Sequence, residues 1–319
     1  MMSYLRKLYN PAIFQGHLKK KNYFEGWYYK LVDDHGKNAL AIIPGISIGK
    51  EAPDHAFIQI LDGVQAKSYY YSFDIKEFFA GQTKFEVIIG NNFFSEEYIA
   101  LDLPVLKGKV YQNNLHPLKS TILSPGIMGW YSFVPWMECY HGIVSMHHTL
   151  DGILSLGKNE ILFTKGIGYM EKDWGTSFPR SWIWMHSNHF EKEKISIMAS
   201  LAHIPWMRNY FPGFICAFMM GGQIEIFATY NGSKVHANIQ NQGVYLSFTK
   251  GRKKLELEAH PGNGAPLRSP VQGLMTGKVN ESLQAKIRLK YSESEILLYE
   301  GIGIHAGLEV AGETDMLMA

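Results

Sequence analysis

Residues 225–239 read EIFATYNGSKVHANI, two β-rich runs on either side of Asn231-Gly232. An Asn-Gly pair tolerates the positive φ that a tight hairpin demands, so the runs are read as neighbouring antiparallel strands. Asp62-Gly63 and Asp151-Gly152 are read as further turns. Working outward, period-two alternation recurs at 182–190, 195–201, 214–219, 244–249, 255–259, 285–290 and 295–299. In the first half it marks 23–31, 39–48, 55–61, 68–73, 85–89, 107–112 and 142–148. Apolar spacing sustained at the helical period is scarce; only 3–9 and 75–79 suggest short helices. The fold class expected is all-β, with mostly antiparallel pairing.

So many strands with few crossover helices hide their edges by closing into barrels, and 319 residues suffice for two. The two domains are placed at 1–165 and 166–319, because Gly166-Ile167-Gly168 interrupts the patterning. The chain carries 31 Lys and Arg against 29 Asp and Glu, a net charge of +2, so no global field attracts nucleic acid. Charged residues are 19%, below the roughly 25% usual for soluble domains, whereas aromatics reach 13%. That aromatic surplus favours a lined cavity for a small hydrophobic ligand. Two cysteines, Cys139 and Cys216, cannot build a disulfide scaffold or an all-cysteine metal cluster. With no signal-peptide pattern at the start, the expected location is the cytoplasm. Basic runs at 19–21 and 250–254 offer a transient contact for anionic membrane surfaces, although a solvated turn is the plainer reading of both.

Three segments carry a resemblance. They are Tyr23-Phe24-Glu25-Gly26-Trp27-Tyr28-Tyr29-Lys30; Tyr169-Met170-Glu171-Lys172-Asp173-Trp174-Gly175, running on to Trp182-Ile183-Trp184; and Leu257-Glu258-Ala259 with Gly264-Ala265-Pro266-Leu267-Arg268. Together they resemble the tocopherol cyclase family. The resemblance implies two lipocalin-like antiparallel β-barrel domains, related to carotenoid hydratase-like proteins. It also implies a cofactor-free reaction, the ring closure of a prenylated hydroquinone to a chromanol. In that reaction the chain alkene is protonated and the phenol oxygen captures the cation. A carrier for a hydrophobic isoprenoid, or an alkene hydratase, stands as the alternative.

The chemistry needs an acid, a proton acceptor and aromatic faces for the cation. Glu171 and Asp173 share a strand face with Lys172 opposite, so two carboxyls can share one proton; hydrogen bonding to a turn is the competing role. Plant cyclases carry Asn in place of Asp173 and Gln in place of His186, so neither role passes over from them. Trp182, Trp184, His186 and Asn188 share one face of the next strand, a mixed lining in which His186 is a candidate relay. Glu25, Trp27 and Tyr29 share a face too; Glu25 is read as a buried acid, or as the partner of Arg180 or Arg268. Trp27, Tyr29, Trp174, Trp182, Trp184 and Asn188 are the candidate substrate contacts. No metal is expected: neither His186 with His189 nor His147 with His148 shares a face, and no carboxylate spacing along the strand completes a site with His141. Cys139 and His141 are read as neighbours by chance.

Overall fold

The computed structural model describes residues 2–16, 21–207, 209–240 and 243–317. Strands dominate it. The first half holds helix α1 (Met2–Tyr9) and strands β1 (Tyr23–Val32), β2 (Ala39–Ile48), β3 (His55–Asp62), β4 (Lys67–Asp74), β5 (Phe78–Ala80), β6 (Glu86–Ile89), β7 (Asn92–Ser95), β8 (Tyr98–Asp102), β9 (Leu106–Asn113), β10 (Cys139–Leu156), β11 (Asn159–Leu162) and β12 (Gly166–Gly175). The second half holds β13 (Trp182–Ser187), β14 (Ile195–Trp206), β15 (Asn209–Met220), β16 (Gln223–Ala228), β17 (Lys234–Gln240), β18 (Gly243–Lys250), β19 (Lys253–His260), β20 (Gly264–Val271), β21 (Leu274–Glu293) and β22 (Ile296–Ala311). They form two large antiparallel sheets, one ordered β4-β3-β2-β1-β12-β10-β9-β8-β7-β6-β5 and the other β16-β15-β14-β13-β22-β21-β19-β18-β17.

The chain divides into two compact units, Met1–Phe178 with Leu267–Lys278, and Pro179–Pro266 with Val279–Ala319. In the first, inward side chains of every strand from β1 to β9 meet in one core that includes Trp27, Ile42, Ile60, Phe94 and Val110. Tyr69, Tyr71 and Phe73 of β4 reach that core from one end of the strand order, and Phe78 and Ala80 of β5 from the other. A sheet whose two ends feed one interior is rolled up, the lipocalin-like barrel arrangement. Its middle is filled by side chains, so the aromatic surplus largely packs rather than lining a hollow. The second unit has its own core of Ile183, Met185, Leu246, Leu257, Ile287 and Leu289, among others. Alternation is plainest in β21, where Leu283, Ala285, Ile287 and Leu289 are buried while Gln284, Lys286 and Arg288 are exposed.

The Asn231-Gly232 turn is present but makes no hairpin: β16 pairs with β15 and β17 with β18, so the runs it joins stand at opposite ends of the strand order and their expected pairing is corrected. Segment 3–9 is helical within α1. The segment 75–79 shrinks to one 3-10 turn, Ile75–Glu77, capped by Asp74. Two further sequence expectations are corrected. The unit boundary falls at Phe178–Pro179 and not at 165–166, because Gly166–Gly175 is a strand paired with both β1 and β10. Asp151-Gly152 is no turn: it lies inside β10, whose Gly152 takes φ +144° opposite Val110. A Cβ there would stand 2.2 Å from the Lys109 carbonyl oxygen. Gly152→Ala is therefore expected to lower stability by about 1 to 3 kcal/mol, read as a shift of the denaturation midpoint at constant slope.

Candidate functional site

Strands β1, β12 and β10 lie side by side, and their register decides which side chains meet. Trp27 pairs with Lys172 and Glu25 with Trp174, while Tyr28 pairs with Glu171 and Gly26 with Asp173. On the other flank His141 pairs with Asp173 and Gly142 with Lys172. Cross-strand partners share a face, so Lys172, Glu25, Trp27 and Trp174 project to one side of the sheet and Glu171, Asp173, Tyr28 and His141 to the other.

The first side carries a buried ion pair. Lys172 Nζ lies 2.5 Å from Glu25 Oε1, both side chains wholly shielded from solvent. The ammonium also donates to the carbonyls of Pro11 at 2.8 Å and Ile13 at 2.6 Å. It sits over the rings of Trp27 and Trp174, at 4.7 and 5.0 Å from their centroids. Glu25 accepts from the backbone N–H groups of Gln15 and Gly16 and from the Tyr23 hydroxyl. Burial lowers Lys172 and the Glu25 charge pulls the other way, leaving it at about 8. Each of these Glu25 contacts is one in which the carboxylate accepts. The reading of Glu25 as a proton donor is thus corrected, and so is its partner: Lys172 holds it, not Arg180 or Arg268. Trp27 stacks on Phe85 and donates to the Ala12 carbonyl, and Tyr29 donates to the Ser95 carbonyl, so both belong to the packed core.

The opposite side carries the two carboxyls that strand parity had put together, with a third group between them. His141 Nδ1 lies 2.8 Å from Asp173 Oδ1, and Nε2 lies 3.3 Å from Glu171 Oε2. The second contact is close enough for charge attraction but too poorly aligned for a directed hydrogen bond. Tyr169 donates to the same Glu171 oxygen at 2.5 Å. Burial alone would lower His141; the charges of Glu171 and Asp173 outweigh it and raise the imidazole to about 10. At neutral pH the cluster is an imidazolium between two carboxyls, and the Tyr169 phenol beside it is pushed well above its ordinary range. Gly26 opposite Asp173 presents no side chain, and Asp173 stays partly exposed. The three ligand atoms lie within 4.8 Å of one another, a spacing that suits a metal ion, although a cation there would have to displace the imidazolium proton.

A pocket of about 390 Å³ opens beside these strands, walled by Lys7, Pro11, Gln15, Tyr23, Tyr140 and Trp174 with residues of 125–137. Tyr140 and Trp174 stack at 5.5 Å. His141 contributes to the wall, while its imidazole meets Glu171 and Asp173. Of the ten sequence candidates only Trp174 lines this pocket.

The remaining candidates lie in the second unit. Ile183 and Met185 enter its core, and Trp182, Trp184 and His186 take the other face of β13. Trp182 donates to Glu309 at 2.7 Å, Trp184 stacks on His186 at 6.4 Å, and Asn188 Oδ1 accepts from His189 Nδ1 at 2.8 Å. Phe190, which alternation along 182–190 would put on the face of Trp182 and Trp184, packs on the core, since the strand ends at Ser187. His141 and Tyr169 were missed as site residues. Spacing along one strand cannot reveal a ligand that arrives from the neighbouring strand; Tyr169, two residues before Glu171, was within reach of the same parity argument.

A family model described as tocopherol cyclase-like matches residues 110–312, well over half of the chain. Among solved structures the fold is similar to a protein described as AttH from Nitrosomonas europaea, with a TM-score of 0.55, 15% identity, and coverage of 91% of this chain and 92% of that one. It is also similar to CghA in a crystal structure with Sch210972, with a TM-score of 0.59, 11% identity, and coverage of 91% and 89%. At such identities the likeness is one of fold.

Proposed function

Since the chain belongs to the tocopherol cyclase-like family, we propose that it is a cyclising isomerase of the intramolecular lyase type, closing a chromanol ring on a prenylated hydroquinone. The observation that carries this reading is the His141 imidazolium held between Glu171 and Asp173 on one buried sheet face. In the proposed step the proton of the cluster, carried on His141, passes to the chain alkene, forming a C–H bond and a tertiary cation and leaving a neutral imidazole. The phenol oxygen then forms the C–O bond as its own proton returns to the imidazole, so atoms balance and the product has the mass of the substrate. Glu171 and Asp173 act as positioning residues: their charges hold the proton on His141, and Asp173 fixes its ring. Tyr28 and Tyr169 lie on the Glu171 side of the sheet and would offer faces to the cation, each worth about 0.5 to 2 kcal/mol.

The test is anaerobic incubation of purified protein with prenylated hydroquinones of graded tail length, reading for a ring-closed isomer of unchanged mass. Glu171→Gln is expected to cost about a hundredfold or more in turnover with ligand binding retained. Equal product from Glu171→Gln and Asp173→Asn would remove the cluster from the mechanism. One observation favours a second reading, a carrier for a hydrophobic small molecule: the residues that wall the pocket include aromatic rings and no carboxylate. Tight binding of the quinol with no isomer formed at any tail length would select it.

A further inference from the structure

Between β9 and β10 the first unit carries an unusually long connection whose residues 115–137 read LHPLKSTILSPGIMGWYSFVPWM. Connections of this length without regular strands or helices are uncommon in compact domains and commonly have a job. Its apolar side chains divide sharply. Ile127, Val134 and Met137 are buried and anchor it, whereas Ile122 and Leu123 are 82% and 80% exposed at the tip of a turn closed by paired Thr121 and Ser124 backbone bonds. Trp136 is 64% exposed, and Trp130 and Phe133 are exposed on the adjoining 3-10 turn Gly129–Phe133. The Tyr9 hydroxyl of α1 donates to the Ile122 carbonyl, tying this edge to a helix that exposes Leu5 and Arg6. Other residues of the same two segments, Lys7, Leu8, Pro125, Ser132, Val134 and Met137, wall the 390 Å³ pocket, so the exposed rings are carried by the segments that wall it.

Charge singles out one kind of partner. Residues 1–24 contain no aspartate or glutamate and the connection only Glu138, at its junction with β10 and partly buried, while Arg6, Lys21 and Lys119 are exposed. Aliphatic residues at a turn tip, indoles beside them and cations around them match the layered polarity of an anionic bilayer, from acyl boundary through interface to headgroup. The other basic run of the sequence lacks this freedom: Lys250 and Lys253 are paired with Glu225, and Lys254 with Glu256. Lys19 and Lys20 lie outside the described residues.

We propose that the Ile122-Leu123 turn, with Trp130, Phe133 and Trp136, is a membrane-docking edge that inserts into the interface of an anionic bilayer and sets the pocket's mouth at the lipid surface. The proposal rests on exposure and charge within the first unit and not on the cyclase reading, so vesicle binding and turnover can fail separately. The intact protein is sedimented with vesicles of phosphatidylcholine and of phosphatidylcholine mixed with phosphatidylglycerol. It is expected to pellet with the mixed vesicles, less so at high salt, with tryptophan emission shifted to the blue and quenched by brominated lipid. The double variant Ile122→Asp with Leu123→Asp is expected to bind about tenfold or more weakly. Its thermal unfolding should be unchanged, since the replaced side chains touch solvent. Arg6→Glu with Lys119→Glu is expected to remove the salt-sensitive part of binding. The proposal falls if the wild type stays in the supernatant with both vesicles, or if the Asp double variant pellets like the wild type. It falls equally if the wild type ignores vesicles and runs as a dimer that this variant splits, which would make the edge an interface between copies.

Discussion

Lys172→Met is expected to lower the free energy of unfolding by about 3 to 5 kcal/mol, the usual cost of leaving one member of a buried ion pair without its partner. Nothing about the volume of the change would account for that loss, because Met fills most of the same space. The loss comes from Glu25, stranded in an interior from which water is excluded, and from the Pro11 and Ile13 carbonyls, which lose their donor. Removing both charges, as Lys172→Met with Glu25→Leu, is expected to recover a substantial part of the loss and to show coupling well beyond additivity. The recovery should be incomplete, because Glu25 also satisfies the Gln15 and Gly16 amides. The second signature is local. Five hydrogen bonds tie residues 11–16 to Lys172, Glu25 and Trp27, so hydrogen exchange there should accelerate in Lys172→Met more than in the strands of the core. A double-mutant cycle by urea denaturation that returned additive losses, or a single-variant loss under 1 kcal/mol, would reduce the pair to an ordinary surface contact.

That pair also shows where reading the chain alone reaches its limit. Alternation placed Glu25, Trp27 and Tyr29 on one face and Glu171 with Asp173 on another, and both assignments hold in the register of β1 and β12. It said nothing of which strand lies beside which. Lys172 stood in the sequence as the residue pointing away from the two carboxyls, and only the β1–β12 pairing makes it the partner of Glu25, about 150 positions earlier. His141 went unrecognised in the same way, since its carboxylates come from the adjacent strand and not from its own. The all-β class and the turn at Asn231-Gly232 were legible because both are local properties of alternation and turn chemistry, whereas the pairing of the two runs it joins was not: β16 pairs with β15 and β17 with β18. The turn assigned to Asp151-Gly152 failed for a related reason: a glycine at positive φ serves a distorted long strand as well as a turn, and local sequence does not distinguish the two. The pocket was beyond reach, being built from the N-terminal segment, the connection 115–137 and three strand ends brought together by the barrel.

Stability is expected to peak near pH 6.5, with β10 supplying both limbs through two histidines seven residues apart. His148 is buried beside His147 and His116 with no carboxylate among its causes of shift, and burial with their repulsion lowers it to about 3. Between pH 3 and 6.5 the unfolded chain therefore binds the extra proton, and stability is lost as pH falls through that window. His141 is buried as well, yet the two carboxylates raise it to about 10. Here the folded chain holds the extra proton: the contribution is complete below pH 6.5 and is lost as pH rises toward 10. Across either full window the effect is of order 4 kcal/mol. Lys172, lowered to about 8, works with the opposite sign above pH 8, since there the unfolded chain is the more protonated. The alkaline fall should accordingly be steepest between pH 6.5 and 8, about 2 kcal/mol, and shallower beyond. Chemical denaturation at a series of pH values separates the two sources: His141→Gln should flatten the alkaline limb and leave the acid one, and His148→Gln should do the reverse. An alkaline limb that survives in His141→Gln would show that the imidazolium between Glu171 and Asp173 is not held in the folded protein, and the proposed proton-transfer cluster would lose its charge.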